Sequence, residues 1–129
     1  MQHLKAIFFT TLIGACISCV DHHAELTQEQ ELQRLKEQWS KIESIAMNAS
    51  CTDSLGWAFT FYGTRCCGGP VGYIIYSTTI DTTAFLKEIE SYNRAQKEYI
   101  IKWPCFGPCF VPPTPTGVEC ANGVPVFTY

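Results

Sequence analysis

Two stretches of the chain place apolar residues three and four positions apart, which is the spacing of one helix face. In residues 27–47 this spacing is shared by Leu32, Leu35, Trp39, Ile42 and Ala46. Thr27, followed three residues later by Gln30, is typical of a capping box at a helix start. We therefore predict an amphipathic helix that packs on its own domain, with a short coiled-coil spacer as the alternative.

The second helical stretch begins after Asp81, a residue type well suited to cap a helix. Ile80 before it can pack on Phe85 in a hydrophobic staple. The predicted apolar side of this helix carries Phe85, Ile89, Tyr92, Gln96, Tyr99 and Trp103. Pro104 is expected to end the helix, because proline lacks an N–H and disfavours helical geometry in the residue before it.

Strand signals separate and follow the helices. Residues 57–62 alternate in type, and residues 71–78 are rich in aromatic and β-branched side chains, which favours an antiparallel pair. Residues 118–121 and 124–129 flank Asn122-Gly123, a strong hairpin signal, with Pro125 suited to an edge strand. The order predicts an α+β fold over residues 48–129, with a small antiparallel sheet of two hairpins packed by one or two helices.

The first residues of the chain have the pattern of an export signal. Lys5 precedes an uncharged apolar run over residues 6–15, which is too short to span a bilayer as a stable helix. Ile13-Gly14-Ala15-Cys16 resembles the lipobox of bacterial lipoproteins, in which the cysteine is acylated and becomes the new N-terminus. The resemblance implies a lipid-anchored protein of the bacterial envelope. A soluble secreted or periplasmic protein is the alternative.

Two cysteines compete for the lipid, Cys16 and Cys19. Cys16 fits the lipobox better, whereas Cys19 has a small residue before it but Cys16 in the aliphatic position. Parity favours Cys19, because its lipidation removes Cys16 with the signal and leaves an even number of cysteines for pairing. The corresponding division is a signal peptide over residues 1–18 and a polar tether over residues 19–26.

Export predicts that the remaining cysteines form disulfides, which a small domain needs for stability. These cysteines are Cys51, Cys66, Cys67, Cys105, Cys109 and Cys120. Neighbouring cysteines rarely pair with each other, so Cys66 and Cys67 need separate partners. We favour a bridge between Cys109 and Cys120, which leaves Cys51 and Cys105 for the adjacent pair.

The distribution of histidine disfavours several chemistries. The three histidines are His3, His22 and His23, so the predicted domain has no histidine base for a serine or cysteine nucleophile and no ordinary Cys/His zinc site. We predict no catalytic residue, metal or cofactor. The formal net charge is −3, with no basic patch for a nucleic acid backbone.

One motif is similar to a redox site. Trp103-Pro104-Cys105-Phe106-Gly107-Pro108-Cys109 is similar to the thioredoxin active site, Trp-Cys-Gly-Pro-Cys, but here three residues separate the cysteines, and the motif follows a helix where the redox motif opens one. A structural role for both cysteines is favoured. The carboxylates of the domain are expected mainly at helix caps and on solvated helix faces.

Cys66-Cys67-Gly68-Gly69-Pro70, with the aromatic strand after it, resembles a segment of small secreted or lipid-anchored bacterial proteins. The resemblance covers roughly residues 51–90 and implies no activity. Candidate binding-surface residues are Gly68, Gly69, Pro70, Tyr73 and Tyr76. We therefore expect a non-enzymatic lipoprotein that binds a protein, peptide or glycan, with an inhibitor of an exported protease, or a small redox or carboxylate enzyme, as alternatives.

Overall fold

A computed structural model describes residues 25–129 of the chain. The predicted signal peptide, both candidate lipidation cysteines and the tether through residue 24 lie outside the described residues. The elements follow in the order α1 (Gln28–Ala46), a 3-10 turn (Ser54–Gly56), β1 (Trp57–Tyr62), β2 (Gly72–Ser77), α2 (Thr82–Lys102), β3 (Gly117–Ala121) and β4 (Val124–Thr128). The predicted α+β class is confirmed.

The first helix begins at the predicted capping box. The Thr27 hydroxyl accepts the Gln30 backbone N–H at 3.3 Å, and the Gln30 side-chain carbonyl accepts the Thr27 N–H at 2.9 Å. Two helix-terminal donors are thereby satisfied. Ile42 and Ala46 are fully buried against the rest of the domain. α1 is therefore a packed element of the domain and not a free spacer.

The second helix also has its predicted ends. The Asp81 carboxylate accepts the Ala84 N–H at 2.9 Å, and the helix stops at Lys102, two residues before Pro104. Its buried residues are Phe85, Ile89 and Tyr92. Ile80 packs against the same apolar cluster.

The β1–β2 hairpin lies between two layers. Its antiparallel register places Ile74 opposite Thr60 and Ile75 opposite Phe59. Because side chains alternate across a strand, Ile74 packs in the cluster formed with the helices, whereas Ile75 packs in a second cluster beneath the terminal hairpin. The terminal hairpin is a separate two-stranded sheet. The fold thus has three layers, with the helices and the terminal hairpin on opposite faces of β1–β2.

The terminal hairpin has the predicted turn. Asn122 and Gly123 have φ of 52° and 77°, the left-handed values that favour Asn-Gly in two-residue turns. Pro125 lies opposite Cys120 and is buried. Its missing N–H is tolerated because each strand of a two-stranded sheet has a free edge.

All six predicted cysteines are in disulfides, but the favoured connectivity is wrong. Cys51 pairs with Cys120, Cys66 with Cys105 and Cys67 with Cys109. The Cys51 N–H donates to the Gly123 carbonyl at 2.9 Å, which places Cys51 beside the terminal turn and Cys120. Cys109 instead lies beside Cys67, so the predicted Cys109 to Cys120 bridge does not form.

Gly63, the residue after β1, provides a test of how closely the chain packs against Val71 and α2 at this point. Its φ is +75°, and an added Cβ would lie 2.6 Å from Val71 Cγ2 and 2.7 Å from Gln96 Oε1. Gly68 has a similar φ of +86° but open space around it. We expect G68A to lower the free energy of unfolding by about 1 kcal/mol through backbone strain. G63A should lower it by about 1–3 kcal/mol more, because overpacking adds to the strain.

Denaturant unfolding with the disulfides intact measures both variants, and G68A is the matched control. Equal losses in the two variants would contradict the close contact between the end of β1, Val71 and α2.

Candidate functional site

The turn after β1 is built around two glycines. The Arg65 N–H donates to the Gly69 carbonyl at 3.0 Å, and the Gly68 N–H donates to the Arg65 carbonyl at 2.9 Å. Gly68 and Gly69 both have positive φ, at 86° and 76°, which residues with a side chain rarely adopt. The turn over residues 65–69 therefore reverses the chain tightly and presents Cys66 and Cys67 at its tip.

Side chains of α2 hold the start of this turn. Asn93 Oδ1 accepts the Gly63 N–H at 2.6 Å, and Gln96 Oε1 accepts the Thr64 N–H at 2.7 Å. Both bonds are partly buried and join residues about thirty positions apart in the chain. Since each would leave a backbone donor unsatisfied if lost, they fix the turn relative to the helix.

Two adjacent disulfides fasten the turn to the segment after α2. The Cα atoms of Cys66 and Cys105 are 5.4 Å apart, and those of Cys67 and Cys109 are 5.5 Å apart. Arg65 also donates to the Phe110 carbonyl, and its guanidinium lies 5.4 Å from the centre of the Phe110 ring. Residues 105–110 are thus held although they have no regular secondary structure.

A cleft of about 450 Å³ lies between this double bridge and the helix pair. α1 contributes Leu32, Leu35, Lys36 and Trp39, and α2 contributes Tyr92, Gln96, Tyr99 and Ile100. The third wall consists of Thr64, Arg65, Cys66, Val71, Cys105, Gly107 and Pro108. The lining is mostly apolar, which is typical of a small-ligand or peptide site.

The polar chemistry of the cleft is cationic and sparse. Lys36 and Arg65 are its charged residues, and its lining includes no aspartate, glutamate, histidine or serine. Its two cysteines are disulfide-bonded. Burial raises the pKa of the Tyr92 phenol, with smaller contributions from Tyr62 and Glu43, so this hydroxyl is neutral at physiological pH. The lining is therefore suited to recognition and offers no nucleophile–base pair.

The candidate binding-surface residues do not form one site. Gly68 and Gly69 are exposed at the turn, and Pro70 is half-buried beside them. Tyr73 is half-buried, and its hydroxyl is 2.9 Å from Thr114 Oγ1. Tyr76 is only 8% exposed, and its ring centroid lies 4.8 Å from that of Phe85. Including Tyr76 in a binding surface was wrong, because the pleat turns it into the helix-facing core.

Sequence reasoning missed most of the cleft. The sequence pattern places Trp39, Gln96 and Tyr99 on helix faces, but no local signal indicates that these faces leave a cleft between the helices. The relevant signal was the combination of adjacent cysteines with a proline-rich segment after α2. This combination predicts disulfides, but it does not predict that they form one wall of a cleft.

The similarity to thioredoxin does not extend to the disulfides. Cys105 and Cys109 pair with Cys66 and Cys67 and not with each other. A thiol–disulfide centre requires its two cysteines to pair within the motif. Each of the two cysteines therefore bridges to the turn after β1.

The carboxylates have the expected local roles where the structure describes them. Asp53 accepts the Leu55 N–H at 3.0 Å and Asp81 caps α2. Glu88 lies 3.7 Å from Lys41. Among residues 25–129, no group of three His, Cys, Asp or Glu side chains is placed to hold a metal ion. Neither described helix is apolar enough over its length to cross a membrane.

Comparison of the chain with protein-family models, with curated proteins and with solved structures finds no match in any of the three.

An ion-pair network closes the end of the helix pair next to the cleft. Glu31 on α1 accepts from Lys102 Nζ at 2.6 Å and from the Trp103 indole N–H at 3.0 Å. Lys102 Nζ also lies 3.1 Å from Glu25. The bonds from Lys102 and Trp103 hold the pKa of Glu31 below its ordinary value, and the bonds to Glu31 and Glu25 raise the pKa of Lys102.

These directions predict a pH window for stability. A carboxylate with a lowered folded-state pKa stabilises the fold above its ordinary value of about 4.5 and loses that contribution as pH falls through the folded value. The lysine contribution is lost at the alkaline end, as pH rises through its raised pKa. We expect E31Q to be less stable than wild type at pH 7 and to show a smaller loss of stability between about pH 5 and pH 3.

Denaturant unfolding at a series of pH values measures this effect. The matched control is E29Q, which removes the same charge from the same first turn of α1, where Glu29 makes no ion pair with the described residues. If E29Q reduces the loss of stability between about pH 5 and pH 3 as much as E31Q does, the helix dipole and not the ion pair with Lys102 causes the pH dependence.

Proposed function

We propose that this protein is a lipid-anchored component of a bacterial envelope whose domain is a non-enzymatic binding module. The observation that carries the binding role is the cleft between the helix pair and the double disulfide bridge. Its walls are fixed covalently on one side and by buried helix packing on the other. A site that exists before its ligand arrives avoids much of the ordering cost of binding.

The lining supports a ligand of particular chemistry. Leu32, Trp39, Tyr99 and Ile100 present apolar surface, while Lys36 and Arg65 supply positive charge at the cleft. Neither cation is in an ion pair within residues 25–129. An extended peptide with one or two apolar side chains and an acidic group fits this lining better than a polar glycan does. A peptide or protein segment is therefore the favoured partner.

The anchoring half of the proposal rests on the lipobox-like sequence before Cys16 and on the parity of the cysteines. The presence of three disulfides in the domain supports an oxidising compartment outside the cytosol. We expect the protein from a bacterial membrane fraction to begin with an acylated cysteine, which intact and peptide mass spectrometry measures. An N-terminal peptide without acyl chains would contradict the anchor.

The cleft is tested with two neighbouring residues of α2. Ile100 lines the cleft, whereas Ile101 is 71% exposed and does not. A tryptophan at position 100 fills space in the cleft, so I100W should weaken binding of an apolar acidic peptide at least ten-fold. I101W adds the same ring outside the cleft and should bind like wild type.

Peptides selected from a displayed random library on the wild-type protein supply the ligand, and titration calorimetry measures binding to each variant. Circular dichroism and thiol titration establish that I100W is folded and fully oxidised. Equal affinities for I100W and I101W would exclude the cleft as the binding site.

A second candidate function is inhibition of an exported protease. The observation that favours it is Phe106, which is 100% exposed on a segment held by two disulfides. A rigid segment with one protruding side chain is well suited to enter a protease specificity pocket, because little entropy is lost on binding. Exported proteases that remain fully active with excess protein would exclude this candidate.

A further inference from the structure

We propose that the exposed apolar segment around Phe106, Phe110 and Val111 lies against the lipid bilayer and orients the domain on the membrane. This inference deepens the proposed function and rests on its lipid anchor. It concerns a surface separate from the cleft, because none of the three side chains lines the cleft.

The segment and the first described residue of the chain are at the same pole of the domain. The helices are antiparallel, since Glu31 near the start of α1 pairs with Lys102 at the end of α2, whereas Lys41 pairs with Glu88. Glu25, the first described residue, lies 3.1 Å from Lys102 Nζ. Phe106 follows Lys102 by four residues, which span at most about 14 Å.

The length of chain before Glu25 limits how far this pole can be from the lipid. The six residues from Cys19 to Glu25 span at most about 22 Å, and the nine from Cys16 at most about 32 Å. A domain of about 100 residues is roughly 30 Å across. An anchor at Cys19 therefore keeps the Phe106 pole nearer to the bilayer than the opposite pole.

The composition of the segment fits a bilayer interface. No charged residue occurs between Lys102 and Glu119. Phe106 is 100% exposed, Val111 71% and Phe110 58%. Aromatic and aliphatic side chains in an uncharged run partition into the headgroup region, and the Arg65 guanidinium over the Phe110 ring adds attraction to anionic lipids.

The disulfides reduce the conformational freedom that the segment would lose on contact with a membrane. Cys105 and Cys109 are bonded to the adjacent residues Cys66 and Cys67, so the disulfides fasten both ends of residues 105–109 to the turn after β1. The segment therefore needs little additional ordering at the interface. A lipid on the N-terminal cysteine attaches the domain to the bilayer without fixing its orientation, and a second contact orients it.

The test uses the full-length gene product, purified in its acylated form, with single added tryptophans. F106W and V111W place reporters in the segment. L55W is the matched control, because Leu55 is 86% exposed and lies just before β1, at the pole where α2 begins. Each protein is incorporated into vesicles of phosphatidylethanolamine and phosphatidylglycerol that contain dibrominated phosphatidylcholine, which quenches tryptophan within the bilayer.

We expect the fluorescence of the added tryptophan to fall at least two-fold in F106W and V111W and to change little in L55W. The three native tryptophans are common to all variants and are subtracted using the wild type. Equal quenching of the reporters at both poles overturns the inference while leaving the anchor intact. Absence of acyl chains in the purified protein overturns both the anchor and this inference.

A protein partner for the same segment has a different signature. If F106W and V111W remain unquenched while F106S loses inhibition of an exported protease that wild type inhibits, the segment docks on protein and the inference is wrong.

Discussion

Burial of the β1–β2 hairpin on both faces is the constraint on which the rest of this domain depends. A two-stranded hairpin alone is marginally stable in water, so it must be covered. Ile74 and Tyr76 pack beneath the helices, and Trp57 and Ile75 pack beneath the terminal hairpin. Burial of these side chains stabilises the packing of each outer layer on the β1–β2 hairpin. The two layers together fix the position of the ends of that hairpin.

The candidate site follows from this arrangement. Because β1 and β2 are held between two layers, the turn that joins them emerges beside α2, where Asn93 and Gln96 bind its backbone. The chain that leaves α2 must pass the same turn on its way to the terminal hairpin. Cys66 and Cys67 meet Cys105 and Cys109 there, and the cleft is the space that remains between this covalent wall and the helices.

The ion-pair network and the exposed apolar segment occupy different parts of the same pole. Glu31, Lys102 and Trp103 close the helix pair with charge-assisted hydrogen bonds, whereas the segment after Pro104 carries exposed apolar side chains and no charge. Large exposed apolar groups usually mark an interaction site. The first described residues, the cleft and the exposed segment thus lie at one end of the domain.

The sequence by itself determined both helices with their caps at Thr27 and Asp81 and the hairpin turn at Asn122-Gly123, because these depend on local periodicity and backbone preference. It also indicated that every domain cysteine is in a disulfide, because an even number of cysteines in a small domain favours bridges. Only the tertiary structure decided the partners of the cysteines, the burial of Tyr76 and the existence of the cleft. These depend on which faces of distant elements meet. Spacing along one chain shows that Tyr76 lies on a strand and that Cys109 needs a partner, but the layer that covers the strand and the cysteine that lies within bonding distance are fixed by packing.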